Sequence, residues 1–228
     1  MPIVEVERVS KIYHQGKTIF KALDDVSLSI NKGEFTALAG PSGSGKTTLL
    51  NLTGGLDLPD SGRVLLEGCD YATMSDGKRA DLRLQSIGFI FQSYNLIPVL
   101  TAAENVEFIL RLQKIDKEER RQRVHAILDE VGLKGRYNSR PDELSGGQQQ
   151  RVAVARAIVS NPSIVLADEP TANLDSKTGE KLLDLMKKMN EQRQVTFIFA
   201  THDQMVMNFA ERILFLHDGR IANDQKKQ

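Results

Sequence analysis

The sequence predicts an α/β fold with a mainly parallel sheet, an N-terminal antiparallel β subdomain and an inserted α-helical subdomain. Three observations predict it. Strand-like and helix-like segments alternate toward the C-terminus, as parallel sheets with crossover helices require. A glycine-rich loop joins an apolar strand to a helix near residue 40. From about Ser93 to residue 160 the pattern turns helical, interrupting the strands on either side.

Each element has its own signal. "VEVERV", then "VSLSI" with period-2 alternation, then "EFTALAG" read as strands, and "SGRVLLEG" as a hairpin-like piece bounded by turn residues. Ile87 to Gln92, "IGFIFQ", is a short apolar run of the kind that forms a buried strand. "TAAENVEFILRLQKI" opens with a threonine and has a glutamate three residues later, a capping-box pattern. The stretch "DKEERRQRVHAILDEVG" places Val124, Ile127, Leu128 and Val131 at helical spacing, with Gly132 as the stop. Strand "SIVLADE", a helix from Ser176 to about Asn190, and strands "TFIFATHD" and "RILFLHDG" follow. The expected organisation is one domain over 1–228. Residues 1–92 and 161–228 form the core with its β subdomain, and about 93–160 the helical subdomain.

Composition excludes several classes. Lysine plus arginine equal aspartate plus glutamate at 30 each, so no charge bias points to nucleic acid or acidic lipid. No apolar run approaches the length of about 18 residues that a membrane span needs. The acidic start "MPIVEVERVS" lacks the basic and apolar regions of a signal peptide, and the single Cys69 fits a reducing compartment. There is no zinc-type cluster of cysteines and histidines.

The chemistry begins at "GPSGSGKT", comprising Gly40, Pro41, Ser42, Gly43, Ser44, Gly45, Lys46 and Thr47, with Thr48 following. This is the phosphate-loop pattern in its required setting between strand and helix. Glycines allow successive backbone N–H groups to wrap a phosphate, and the helix N-terminus adds its dipole. Lys46 supplies charge to the β- and γ-phosphates, and Thr47 a hydroxyl to Mg²⁺. Asp168 and Glu169 end an apolar strand where open α/β sheets keep their ligand crevice. Taken alone they are as readily two solvated acids. Beside a phosphate loop, Asp168 suits the metal and Glu169 the attacking water. Gln92 and His202 also end apolar strands; taken alone, Gln92 is as readily a structural polar residue, and a lone histidine is more often structural.

In "ELSGGQQQRVAVARA", Glu143 to Ala157, two glycines stand at the mouth of an otherwise good helix. Glycine weakens a helix interior by roughly 1 kcal/mol relative to alanine, but at a helix start it leaves N–H groups open to an anion. Leu144, Ser145, Gly146, Gly147 and Gln148, "LSGGQ", taken with the preceding motifs and their order, resemble the signature of ATP-binding cassette (ABC) ATPases. The resemblance spans essentially the whole chain. It implies that the anion is the γ-phosphate of ATP held by another subunit, in a head-to-tail homodimer with two shared sites. It further implies that Tyr13 in "SKIYHQG" stacks on adenine and that Gln92 is the Q-loop residue, reaching Mg²⁺ or water. Asp168 and Glu169 become the Walker-B pair, Asp175 in "TANLD" the D-loop aspartate, and His202 the switch histidine. Asn173 departs from the small residue that many members carry there.

"GGLDLPDSG", "FIFQSYNLIPVLTAAENVEF" and "LADEPTANLDSKTGE" are similar to the branch of macrolide exporters, lipoprotein-releasing ATPases and the cell-division ATPase. That likeness implies cofactors ATP and Mg²⁺, an integral membrane permease as partner, and a place on the cytoplasmic face of the inner membrane. The apolar "YNLIPVL", Tyr94 to Leu100, is readable either as part of the permease-docking groove or as ordinary subdomain core. Two other classes compete with transport. A soluble cassette acting on nucleic acid or ribosomes is disfavoured, because Gln92 and Leu144 are only 52 positions apart, too few for a coiled-coil insertion. An ATP-dependent regulator of a membrane partner is the other.

Overall fold

The computed structural model describes residues 2–16 and 18–227. Two long strands, β1 (Pro2–Gln15) and β2 (Thr18–Asn31), pair antiparallel, with Val4, Val6 and Val9 opposite Ile30, Leu28 and Val26. Strands β4 (Ser61–Leu66) and β5 (Cys69–Asp70) extend this sheet in the order β2-β1-β4-β5. The second sheet has the order β10-β9-β3-β8-β7-β6. It is built from β3 (Phe35–Ala39), β6 (Ile87–Ile90), β7 (Ile164–Asp168), β8 (Thr196–Thr201), β9 (Arg212–His217) and β10 (Arg220–Lys226). All pairings except β9 with β10 are parallel, as the alternating pattern predicts.

The apolar strands are buried on both faces, and each face has its own core. On β7 and β8, Val165, Ala167, Phe197 and Phe199 face one way, onto α3 (Ala102–Leu112), α4 (Lys117–Glu130), α5 (Gly146–Ile158) and α6 (Ser176–Arg193). Ile164, Leu166, Ile198 and Ala200 face the other way, onto α1 (Lys46–Thr53) and the antiparallel sheet. Strand periodicity sends alternate side chains to opposite faces, so one apolar run serves two layers.

The capping box at Thr101 and Glu104 forms as the sequence predicts, and α4 ends at Gly132 with φ +77°. Three elements, besides the two-residue β5, have no counterpart in the sequence reading. These are α2 (Asp76–Ser86), the short α7 (Gln204–Phe209) and β10. Of α2's residues only Ser86 is buried, so no apolar stripe announces it. Strand β6 lies directly against α5. A Cβ added to the buried Gly88 would fall on the Ala157 carbonyl oxygen, so only glycine permits this approach.

The segment Tyr94 to Leu100 is divided between core and surface. Leu96 packs on the core, whereas Ile97 and Val99 are exposed. Its path is set by the buried Asn105, whose side chain accepts from the Ile97 N–H at 2.7 Å and donates to the carbonyls of Ile97, Leu100 and Thr101. Arg156 on α5 donates to the Tyr94 and Asn95 carbonyls, holding two consecutive left-handed residues (φ +60° and +49°). Among the described residues no helix is long and apolar enough to cross a membrane.

Candidate active site

The loop leaving β3 at Ala39 turns into α1 through Gly45, a left-handed helix cap at φ +103°. A Cβ at Gly45 would stand 2.5 Å from the Ala22 carbonyl oxygen, which excludes other residues on conformation and on space. Pro41, Ser42 and Gly43 are exposed on this loop, whereas Ser44 is buried and its hydroxyl lacks a partner. Lys46 is also buried, and its ammonium donates to the Gly40 and Pro41 carbonyls at 2.8 and 2.9 Å. The cation is thus folded over its own loop.

A cavity of about 510 Å³ opens beside this loop. It is lined by Pro41, Ser42, Gly43, Gly45 and Lys46 with Thr47 and Thr48, and closed by Gln92, Asp168, Glu169 and His202 from the ends of three other strands. Residues scattered over the sequence from 41 to 202 therefore meet in one crevice at the carboxyl ends of the parallel strands. Thr47 donates to Asp168 Oδ1 at 3.3 Å. Glu169 has a left-handed backbone (φ +45°), and its carboxylate accepts from Thr201 Oγ1 at 3.1 Å while lying 2.6 Å from His202 Nδ1.

The signature segment is elsewhere. Leu144 is buried beneath the start of α5, and Ser145 caps that helix with a reciprocal box to Gln148. Ser145 Oγ accepts from the Gln148 N–H, and Gln148 Oε1 accepts from the Ser145 N–H. A helix start leaves four N–H groups without intrahelical partners, and the box satisfies two of them. The two left over belong to Gly146 and Gly147. None of residues 144–148 lines the cavity. Asp175 caps α6 by accepting from the Thr178 N–H, and the side-chain and backbone hydrogen bonds of Thr178 hold its carboxyl below the usual range.

A family model described as ABC transporter matches residues 23–172. The chain belongs to the ABC transporter family. It is 46% identical to an uncharacterized ABC transporter ATP-binding protein, MJ0796, of Methanocaldococcus jannaschii, over 98% of this chain and 97% of that one. The macrolide export ATP-binding/permease protein MacB of Brucella melitensis biotype 1 is 44% identical over all of this chain, which spans 35% of MacB. A dimeric MJ0796 structure in a post-hydrolysis state, bound to ADP and Pi, superposes with a TM-score of 0.91 over 99% of both chains. Membership makes this chain an ATP-binding ATPase with a P-loop fold.

Within this ABC transporter chain the structure adds two residues that the sequence reading passed over, Phe20 and Thr201, and a contact for Asn173. Phe20 faces Tyr13 across the β1–β2 hairpin and lines the cavity, whereas Tyr13 does not; the Tyr13 hydroxyl donates to Asp57 at 3.0 Å. The hairpin register, which local pattern does not fix, is the missing information. Thr201, fully buried, anchors Glu169, and its position just before His202 is the one signal that could have found it. Asn173, the departure in "TANLD", donates to the Gln92 carbonyl at 2.8 Å, tying the turn after β7 to the segment after β6.

Burial raises the Asp168 carboxyl above its ordinary value; the Thr47 hydrogen bond opposes this and the neighbouring Glu169 charge adds to it. An acid whose folded pKa is raised binds its proton more readily in the folded state. Stability therefore falls as pH rises from the ordinary carboxylate range through the raised value of the folded state. Asp168→Asn is expected to raise the melting temperature of the nucleotide-free chain at pH 7 and to flatten its acid-side pH dependence. Differential scanning calorimetry across pH checks this. A lower melting temperature at pH 7 would contradict it.

Proposed function

We propose that this chain powers a separate inner-membrane permease, of the export, lipoprotein-release or force-transmitting kind, by closing as a head-to-tail homodimer over two ATP molecules. One observation carries the reading: the cavity gathers the phosphate loop, two carboxylates, Gln92 and His202, yet the two free glycine amides of the signature lie outside it. A second copy completes the site by bringing those amides to the phosphate. The dimeric form of MJ0796 and the fusion of ATP-binding and permease parts in the name of MacB support both partners.

The roles follow from position. Residues 40–48 and Lys46 hold the phosphates, and Phe20 with Tyr13 forms the adenine face. Thr47, Asp168 and Gln92 hold Mg²⁺, which supplies charge neutralisation between the phosphates. The residues fit such an ion: a hydroxyl and a carboxylate converge at 3.3 Å, and that carboxylate carries a half-buried charge which a cation relieves. Glu169 and His202 orient the attacking water, with Gln92 close by. Leu144 to Gln148 and Asp175 act across the dimer. Closure excludes water and strengthens each charged contact.

A groove of about 350 Å³, lined by Phe89, Phe91, Ile97, Phe108 and Arg156 among others, lies beside the Q-loop. It suits the apolar face of a cytoplasmic helix of the permease, which would seat this chain on the cytoplasmic face of the membrane. Purification from the native host in mild detergent, followed by identification of bound proteins, tests the proposal. A permease with few membrane spans and a large periplasmic domain is the expected companion. A ribosomal or DNA-bound partner with no permease would defeat the transport reading and leave the ATPase standing.

A further inference from the structure

Gln150 follows the signature on α5 and is fully buried. Its Nε2 donates to the Pro170 carbonyl at 2.8 Å, crossing from α5 to the turn after β7. Its Oε1 has no hydrogen-bond partner. A residue serving only to fill space here would be better apolar, because a half-paired buried amide carries an uncompensated desolvation cost.

The turn it grips is an unusual one. Glu169 adopts the left-handed region immediately before a proline, whose ring already restricts the residue ahead of it. Such a conformation persists only where its surroundings over-determine it. Three hydrogen bonds do so: Glu169 N–H to the Ala200 carbonyl at 2.9 Å, Ala172 N–H to the Glu169 carbonyl at 3.2 Å, and Gln150 to the Pro170 carbonyl. The first comes from β8 and the second from the turn itself. The third alone comes from α5, the helix that begins at the signature serine.

We propose that Gln150 is a positioning residue that acts through Glu169, fixing the Glu169–Pro170 turn and linking the setting of its carboxylate to the position of α5. The proposal rests on the reading of Glu169 as the group that activates water. When α5 moves on dimer closure, the Pro170 peptide is drawn with it. Glu169 then takes its working orientation against Thr201 and His202 only when the signature helix is docked.

The test compares Gln150→Met and Gln150→Glu with the parent in steady-state ATP hydrolysis. Gln150→Met keeps the side-chain length and removes the donor. Its kcat is expected to fall about tenfold, within the range that a small misplacement of a reacting group costs, with KM for ATP unchanged and melting temperature not lowered. In Gln150→Glu the carboxyl donates to Pro170 only while protonated, so the ratio of its kcat to the parent's falls as pH rises. Parent-like kcat in Gln150→Met, or a pH-independent ratio in Gln150→Glu, overturns the proposal. Should Gln150→Met fail to fold, the Gln150→Glu profile decides alone. Glu169→Gln measured alongside separates the two readings. If it hydrolyses ATP at the parent rate, the role of Glu169 fails; if it is inactive while Gln150→Met is unimpaired, only the role of Gln150 fails.

Discussion

Glu169→Gln is expected to stop turnover while leaving ATP binding intact. Hydrolysis should drop by at least about a hundredfold, the typical contribution of a positioned general base. The Glu169 carboxylate faces the cavity between Thr201 and His202, so the amide keeps the shape of the site and loses its basicity. On the proposed cycle, blocked hydrolysis leaves the closed pair no exit, and size-exclusion chromatography with ATP should show a dimer that the parent forms only transiently. Turnover at the parent rate would remove Glu169 from the chemistry.

Lys46→Ala is expected to act one step earlier, on binding itself. The ammonium is buried and rests on the Gly40 and Pro41 carbonyls, so it stands ready over the loop. Charge-assisted hydrogen bonds contribute up to about 3 kcal/mol, which corresponds to roughly a hundredfold in ATP affinity. Titration calorimetry with ATP in the presence of Mg²⁺ reads this directly. Fold stability should change little, because the two carbonyls released lie beside the open cavity and regain water. Unchanged affinity would place the phosphates away from residues 40–48.

The sequence made most of the sheet and its chemistry legible, for a physical reason. Strands buried on both faces carry uninterrupted apolar runs, and the groups that follow them in a parallel sheet must emerge at one edge. Gln92, Asp168, Glu169 and His202 therefore share an address that can be read one strand at a time. The Thr101 capping box was equally local. What escaped notice depends on distant partners or lacks an apolar signature. Helix α2 is charged and rides on the surface, marked only by the Ser75 cap. Phe20 enters the site through cross-strand register, and Asn173 meets the Gln92 carbonyl from 81 positions away in the chain. The split of Tyr94 to Leu100 between core and surface depends on the buried amide of Asn105, which composition does not announce.

The close approach of Gly88 to Ala157 has a mechanical consequence. It pins α5 near its C-terminal end, with no side chain between helix and strand to act as a cushion. Ser145 stands 12 residues away, about 18 Å along the helix axis. The helix is thus held directly on β6 at one end, while toward the other it is held by Gln150 on the Pro170 carbonyl. A tilt of about ten degrees about the β6 contact sweeps the signature end through about 3 Å, the length of a hydrogen bond, while hardly moving the sheet. On the proposed dimer, so small a rotation would be enough to make or break a hydrogen bond at the start of α5.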